Sequence, residues 1–291
     1  MPETGSNISL KRKIIDEAFQ EEIPESYDLY IFADAEEISC TVTERAGKKF
    51  LALESWDISD EDISDAVLLS EIRSESKLLS LNGYPKVVCC TGFRNATLIP
   101  NPLFDAGNAY DQLHFANQER NDGQLLIDQL HQLEASNIFT VPSQIYQQLT
   151  SWFHLAEFHH TSTALIEFLL TVNKNSKEEL LTVNVHRSFI EIIVTRGRNL
   201  LLYNHFKYDT PEELIYYLLF VCEQLQLNPD HIKVQFAGDI YDSDAAFQLS
   251  MKYIRNTCLA VRPESFGYGD SFTELPKQLH FNLFSQIVCV S

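Results

Sequence analysis

The sequence predicts an α/β protein built from two successive copies of a β-β-β-α-β unit. Two observations predict this fold class: the order of strand and helix signals repeats between residues 29–90 and 181–236, and turn and helix-capping residues recur at corresponding places. Direct alignment of 29–43 with 181–195 matches Ile38 to Ile190 and Val42 to Val194. The alternative is chance similarity between two α/β segments. The repeated order favours duplication, because a single sequence indicates element type better than element boundaries.

The first copy is predicted from alternating apolar residues and the turns between them. The turn Asp34-Ala35-Glu36-Glu37 and a later glycine, Gly47, separate the first three strands. Ser59 and the acidic residues after it predict the start of a helix over 59–79. Residues 1–26 are predicted to be a mobile acidic arm. The predicted strands cover 29–33, 38–43, 49–53 and 86–90.

The second copy repeats this plan. The turn His186-Arg187-Ser188 separates its first two strands. Thr210, Pro211 and Glu213 supply an N-cap, a proline at the first helical position and a capping-box glutamate, so a helix is predicted over 210–227. The predicted strands cover 181–185, 189–195, 200–203 and 232–236.

Between the copies, residues 97–172 are predicted to form an insertion with strands and helices of its own. The domain prediction is therefore an arm at 1–26, a first lobe at 27–178 that contains the insertion, and a second lobe at 179–291. The apolar end of the chain is expected to pack on the body as a helix or strand.

Charge and composition restrict the function. The chain has 291 residues and a formal net charge of −19, and residues 1–80 hold 19 acidic but only 8 basic side chains. Nucleic acid is not expected as a partner, because its phosphates are bound by clustered Lys and Arg. The longest apolar run, 214–222, is too short to span a bilayer. The N-terminal residues lack a signal-peptide core, and the six cysteines include no CxxC pair, so a cytoplasmic protein with reduced thiols is expected.

Three segments carry a family resemblance: Ala96-Thr97-Leu98-Ile99-Pro100-Asn101-Pro102-Leu103-Phe104, His159-His160-Thr161-Ser162-Thr163-Ala164-Leu165, and the end from Phe281 to Cys289. With these segments the chain resembles a bacterial family of actin-like proteins of unknown function. That family is similar to the actin-like platform proteins of type IV pilus and type II secretion systems. Over residues 27–291 the plan resembles the ribonuclease H-like lobes of the actin, heat-shock chaperone and sugar-kinase superfamily of ATPases.

The resemblance implies a place for ATP, which that superfamily holds through the first hairpin turn of each lobe and an Asp that serves the metal. Glycine is favoured where backbone approaches phosphate, yet neither turn here contains one, and the first has three carboxylates. Only 234–239 resembles the glycine turn that holds adenosine. We therefore expect a degenerate site with no cofactor. Its candidate residues are Asp34, Glu36, Glu37, His186, Arg187, Ser188, Gly238 and Asp239.

Two readings of function stay open. The first is a non-catalytic protein-interaction or scaffold module that binds another cytosolic protein, and the acidic charge favours a partner with a basic surface. The alternative is a divergent ATPase or kinase that uses ATP and magnesium through Asp34, Ser188, Gly238 and Asp239. A homodimer formed by the acidic arm or the insertion is a third possibility. A thermal shift with ATP and magnesium separates the first two readings.

Other reactive residues favour structural roles. The histidines at 154, 159 and 160 lie near Glu157, but only His154 and Glu157 have a helical i, i+3 spacing, so no metal site is expected. Cys89 and Cys90 lie within an apolar strand, where inert burial is expected rather than nucleophilic catalysis.

Overall fold

The computed structural model describes residues 8–59, 66–117, 123–262 and 265–288. The chain divides into two compact units. The first comprises the described residues up to Ala164 together with Ser265–Glu274, and the second comprises the described residues of 165–264 together with Leu275–Val288. This division differs from the lobe boundary expected at 178–179.

The strands and helices are numbered in chain order. The strands are β1 (Ile8–Ile15), β2 (Tyr27–Ala33), β3 (Glu37–Glu44), β4 (Lys49–Ile58), β5 (Lys86–Thr91), β6 (Ala96–Pro100), β7 (Gln124–Leu130), β8 (Ala135–Val141), β9 (Ala156–His160), β10 (Glu179–Val185), β11 (Phe189–Arg196), β12 (Asn199–Lys207), β13 (Lys233–Gly238), β14 (Asn256–Leu259) and β15 (Gly267–Tyr268). The α-helices are α1 (Ala66–Glu75), α2 (Lys77–Ser80), α3 (Ala109–Asn117), α4 (Ser143–Trp152), α5 (Thr161–Asn173), α6 (Pro211–Gln224), α7 (Ala245–Tyr253) and α8 (Phe281–Ser285).

The first unit contains a mixed sheet with the strand order β1-β4-β3-β2-β5-β9, and β15 pairs with β4. Strands β2, β3 and β4 form the predicted antiparallel meander, and β5 returns parallel to β2 after the helices. The apolar residues on one side of this sheet form a core that includes Leu29, Ile31 and Trp56. The insertion adds a second sheet, β6-β8-β7, against which α3 packs through Ala109 and Leu113.

The segment expected to be a mobile arm contains a strand instead. β1 pairs antiparallel with β4, with a register shift between Leu10 and Arg12. Lys13 Nζ lies 2.7 Å from the carboxylate of the buried Glu54, and Lys11 Nζ lies 3.2 Å from that of Asp57. The run of basic residues and the bulge obscure the alternation that identifies a strand in sequence.

The single helix expected over 59–79 is two helices, α1 and α2. Ser76 separates them in an extended conformation, and its hydroxyl accepts a hydrogen bond from Leu79 N, as an N-cap does. The acidic first turn predicted after Ser59 falls on 60–65, which lie outside the described residues.

The second unit repeats the strand order of the first. Its sheet has the strand order β12-β11-β10-β13-β14. β13 lies parallel to β10, and β14 lies parallel to β13. In the first unit β5 lies parallel to β2, and β9 lies parallel to β5, in the same way. The predicted duplication of β-β-β-α-β lobes is therefore confirmed. Helix α6 begins as predicted, with a complete capping box between Thr210 and Glu213 and with Pro211 in its first turn.

Helix α7 and strands β9 and β14 were not predicted from sequence. Each is short, and β9 contains the polar residues Glu157, His159 and His160. Among the described residues, no helix is long and apolar enough to span a bilayer.

Candidate functional site

The first candidate turn, between β2 and β3, is held together by its own aspartate. Asp34 is buried, and its Oδ1 accepts hydrogen bonds from the backbone N–H groups of Glu36 and Glu37, both at 2.8 Å. Asp34 N also donates to Glu37 O at 3.0 Å. Two backbone donors of this turn, of the kind that a phosphate-binding turn would direct to its ligand, thus point at a carboxylate of the chain itself.

Gly92, which follows β5, packs against this turn. The sequence did not predict it as part of the site. A Cβ added to Gly92 would lie 3.1 Å from Asp34 Cβ and 3.1 Å from the ring of Phe32. Gly92 N donates to Ala33 O at 2.9 Å. The close approach of the two segments explains the glycine without a ligand.

The second candidate turn, between β10 and β11, exposes Arg187 and Ser188 but buries His186. The His186 ring stacks on Phe189, with ring centroids 3.9 Å apart, and His186 N donates to Phe189 O at 2.9 Å. Tyr208 holds the turn from the end of β12, because its hydroxyl donates to His186 O at 3.1 Å. The turn is a closed hairpin in which the histidine points into the unit.

Below this turn lies a buried polar cluster centred on Glu191. One Glu191 oxygen lies 3.0 Å from His186 Nε2 and accepts from Asn184 Nδ2 at 2.7 Å, and the other accepts from the Tyr203 hydroxyl at 2.8 Å. Asn184 Nδ2 also donates to Asn282 Oδ1 at 2.8 Å. Burial alone would raise the pKa of Glu191. The hydrogen bond and the charge of His186, together with the hydrogen bonds of Tyr203 and Asn184, instead lower that pKa to about 2.

The third candidate segment, Gly238-Asp239, lies at the same end of the sheet as the second turn, because Val185 and Gly238 are paired at the ends of the parallel strands β10 and β13. Gly238 N donates to Gln278 O, Asp239 N to Val185 O and Ile240 N to Gly238 O, each at 2.9 Å. Gly238 has a φ of +87°, and an added Cβ would lie 2.3 Å from Val185 O. The backbone itself requires this glycine.

We expect Gly238→Ala to lower the free energy of unfolding by about 1–3 kcal/mol, because alanine is strained at a positive φ and would press on β10. Urea unfolding measures the change. Gly107→Ala is the control, since Gly107 has no positive φ and its nearest neighbour would be 3.3 Å away. Equal stability of the two variants would contradict the prediction.

The candidate residues fall into two groups. Asp34, Glu36 and Glu37 come together in the first unit, and the structure brings the second turn beside Gly238 and Asp239 in the second unit. Sequence reasoning missed Glu191 and Asn282. A buried-strand pattern interrupted by a glutamate was the available signal for Glu191, while nothing in the sequence links Asn282 to it.

The histidines weighed as metal ligands are held by hydrogen bonds. His159 Nδ1 lies 2.9 Å from Asp128 Oδ1, and His160 Nε2 lies 2.9 Å from Phe93 O. His154 Nδ1 lies 3.2 Å from Thr150 O. Among the described residues, no group of three or more His, Cys, Asp or Glu side chains is arranged to hold a metal ion.

His159 gives a pH-dependent prediction. Burial lowers its pKa, but the hydrogen bond and charge of Asp128 outweigh burial, so the pKa of His159 is raised above 6.5. The pair therefore stabilises the fold fully below pH about 6.5, and this contribution is lost as pH rises through the raised pKa. We expect His159→Gln to be less stable than the wild type at pH 6 and closer to it at pH 9, as measured by urea unfolding. A difference that grows with pH would contradict this assignment.

Cys40 and Cys89 are not poised for nucleophilic chemistry. Cys40, Cys89 and Cys90 are buried. Burial raises the pKa of the Cys40 and Cys89 thiols well above the ordinary value.

Most of the chain matches one family of proteins. Residues 16–257 match the model of a family described as a protein of unknown function, DUF3822. No curated protein matches the chain.

Two solved structures show the same architecture. A Bacteroides thetaiotaomicron VPI-5482 protein, described as having an actin-like ATPase fold and unknown function, superimposes with a TM-score of 0.73 at 23% identity, over 83% of this chain and 93% of that one. A chain of the PilM–PilN type IV pilus biogenesis complex gives a TM-score of 0.60 at 11% identity, over 91% of this chain and 97% of that one. The expected actin-like fold and the similarity to type IV pilus proteins are confirmed.

Proposed function

Since the chain belongs to the DUF3822 family of proteins of unknown function and has an actin-like ATPase fold, we propose that it is a non-catalytic protein-interaction module with a degenerate nucleotide site. The observation that carries the proposal is the first turn. There the N–H groups of Glu36 and Glu37 donate to Asp34 Oδ1 at 2.8 Å, so the turn's donors are used within the chain.

Electrostatics support the same proposal. A triphosphate bound at this turn would lie beside the carboxylates of Asp34, Glu36 and Glu37. The negative charges of phosphate and carboxylate would repel each other strongly where water is partly excluded. A magnesium ion could relieve that repulsion only if it bound oxygens of the phosphates as well as oxygens of these carboxylates. This repulsion supports the proposal that the first turn does not hold the phosphates of a nucleotide through its backbone amides.

The second unit supports it too. The N–H groups of Gly238, Asp239 and Ile240 all donate to backbone oxygens within that unit. The glycine is explained by its φ of +87° and by the proximity of β10. The resemblance of 234–239 to an adenosine-binding turn thus has a structural explanation.

The interaction half of the proposal rests on fold and charge. The PilM–PilN structure is named for a complex of two proteins, and a protein partner for this chain is proposed by analogy with it. With a net charge of −19, the chain favours a partner with a basic surface. Binding should then weaken as salt is raised, because the charges are screened, and binding unaffected by salt would count against a basic partner.

An ATPase assay tests the proposed absence of catalysis. Wild type and Asp34→Ala should both release phosphate from ATP and magnesium at the background rate of buffer alone. A magnesium-dependent rate in the wild type that disappears in Asp34→Ala would establish the alternative, a divergent ATPase. Arg187→Ala serves as a second variant, because Arg187 is exposed and its loss should leave the fold intact.

A further inference from the structure

The first unit contains an open cavity of about 420 Å³ beside the ends of helices α1 and α4. Arg73, in the last turn of α1, and Trp152, the last residue of α4, both line it. The volume is within the range of sites that bind a small molecule or one side chain of a partner. We call it the Arg73 cavity.

The Arg73 cavity lies away from the first candidate turn. Residues 82–84 and 153–155 line it, and these loops lead into the starts of the parallel strands β5 and β9. The Asp34 turn instead follows the end of β2, which is parallel to β5. The cavity and the turn are therefore at opposite ends of the sheet, and a ligand in the cavity is independent of whether the turn holds a nucleotide.

The Arg73 guanidinium is held in place but keeps hydrogens for a ligand. Its Cζ lies 4.7 Å from the centre of the Trp152 ring, and its Nε donates to Leu79 O at 3.1 Å. Its Nη2 donates one hydrogen to Asn82 Oδ1 at 3.4 Å. Within the described part of the chain, both hydrogens of Nη1 and the second hydrogen of Nη2 have no acceptor. A carboxylate accepts from two such N–H groups at once.

The charge of Arg73 is not neutralised by the chain. Among the described residues no carboxylate forms an ion pair with Arg73, although the chain has a net charge of −19. Burial lowers the pKa of Arg73, as expected for a cation that leaves water without a counter-ion. Of the described residues that line the cavity, Arg73 alone carries a permanent charge. A single cation suits a ligand with one negative charge better than a phosphate dianion.

Much of the remaining wall is apolar. Tyr84 and Phe153 are buried, and their rings meet edge to face with centroids 6.3 Å apart. Leu155 is 80% exposed. An apolar group bound in the cavity would remove part of Leu155 and of the Trp152 ring from water, which favours binding.

We propose that the Arg73 cavity binds a carboxylate that is carried by an apolar group such as an aromatic ring. The carboxylate accepts from Nη1 and Nη2 of Arg73, and the apolar group packs against Trp152 and Leu155. A free acid and the last residue of a partner's chain share this chemistry, because both place a carboxylate next to an apolar group. A carboxamide of the same shape lacks the charge and binds more weakly.

Two-dimensional NMR of the isotope-labelled full chain tests the proposal. The chain has two tryptophans, so two indole N–H signals are expected, and Trp152→Phe assigns them. Phenylacetate should shift the Trp152 signal until it saturates and should leave the signal of Trp56, which is fully buried, unchanged. Phenylacetamide should bind about tenfold more weakly or worse, because it cannot form the charged pair.

Three variants locate the binding. Arg73→Gln should abolish the saturable shift, and Leu155→Ser should weaken binding without disturbing the core, because Leu155 is exposed. Arg198→Gln is the matched control, since Arg198 is exposed in the second unit, and it should bind phenylacetate as the wild type does. The comparison of acid with amide uses the wild type alone, so it remains decisive if Arg73→Gln does not fold.

A second titration distinguishes the sources of the carboxylate. It uses the acetylated tripeptide Gly-Gly-Phe with either a free or an amidated C-terminus. Tighter binding of the tripeptide acid than of phenylacetate favours the chain end of a partner, and the reverse order favours a free acid; either result supports the proposal. The proposal is overturned if neither acid shifts the Trp152 signal saturably, if the amides bind as tightly as the acids, or if Arg73→Gln binds as tightly as the wild type.

Discussion

Replacing Glu191 by alanine should lower the free energy of unfolding by about 3–5 kcal/mol, the usual cost of removing one partner from a buried charged cluster. The variant leaves His186, Asn184 and Tyr203 without the carboxylate to which all three are hydrogen-bonded in the wild type. Urea unfolding at pH 7 measures the change. Glu223→Ala, at an exposed position of α6 in the same unit, should stay within about 0.5 kcal/mol of the wild type.

The pH dependence of this effect has a definite sign. The pKa of Glu191 is lowered in the folded protein from 4.5 to about 2. Its stabilising contribution is therefore complete above pH 4.5 and is lost as pH falls toward 2. The difference between wild type and Glu191→Ala should shrink over that range. A difference that stayed constant from pH 5 to pH 2 would show that the carboxylate charge is not what stabilises the cluster.

Replacing Glu54 by alanine should have a comparable effect in the first unit, about 3–5 kcal/mol. Glu54 is fully buried, and its carboxylate lies 2.7 Å from Lys13 Nζ and accepts from Ser76 Oγ at 2.6 Å and from Leu78 N at 3.2 Å. It thus joins β1 to the start of α2. Chemical denaturation measures the loss.

Two variants control this prediction. Glu71→Ala removes an exposed carboxylate from α1 and should be nearly neutral. Lys13→Met removes the other partner of the ion pair and should also be destabilising, because Glu54 is left as a buried charge without its cation. If Glu54→Ala were as stable as Glu71→Ala, the ion pair would have no role in holding β1.

The elements that were predictable from sequence are those whose pattern is local. Alternating apolar residues identified β2, β3, β10 and β11, and Thr210 with Glu213 identified the start of α6. β1 was missed because three basic residues and a bulge interrupt its alternation. The break between α1 and α2 was missed because Ser76 contacts Glu54, 22 positions earlier in the chain.

The candidate site shows the same limit. The absence of glycine from both turns, and the acidity of the first, could be read directly from the sequence. The role of Asp34 could not, because it depends on a side chain that turns back onto the amides of Glu36 and Glu37. The Glu191 cluster depends on Asn282, which lies 98 positions from Asn184, and such contacts have no local signal.

The central claim is that oxygens of the chain itself accept from the N–H groups of Glu36 and Glu37 in the first turn and from those of Gly238, Asp239 and Ile240 in the second unit, so that these donors are not directed at a nucleotide. Thermal unfolding of the wild type with and without millimolar ATP and magnesium tests it most directly, with magnesium alone as the control. We predict the same unfolding temperature in both samples. A nucleotide present at a hundred times its dissociation constant would stabilise the fold by about 2.7 kcal/mol, and a magnesium-dependent rise of that size would contradict the claim.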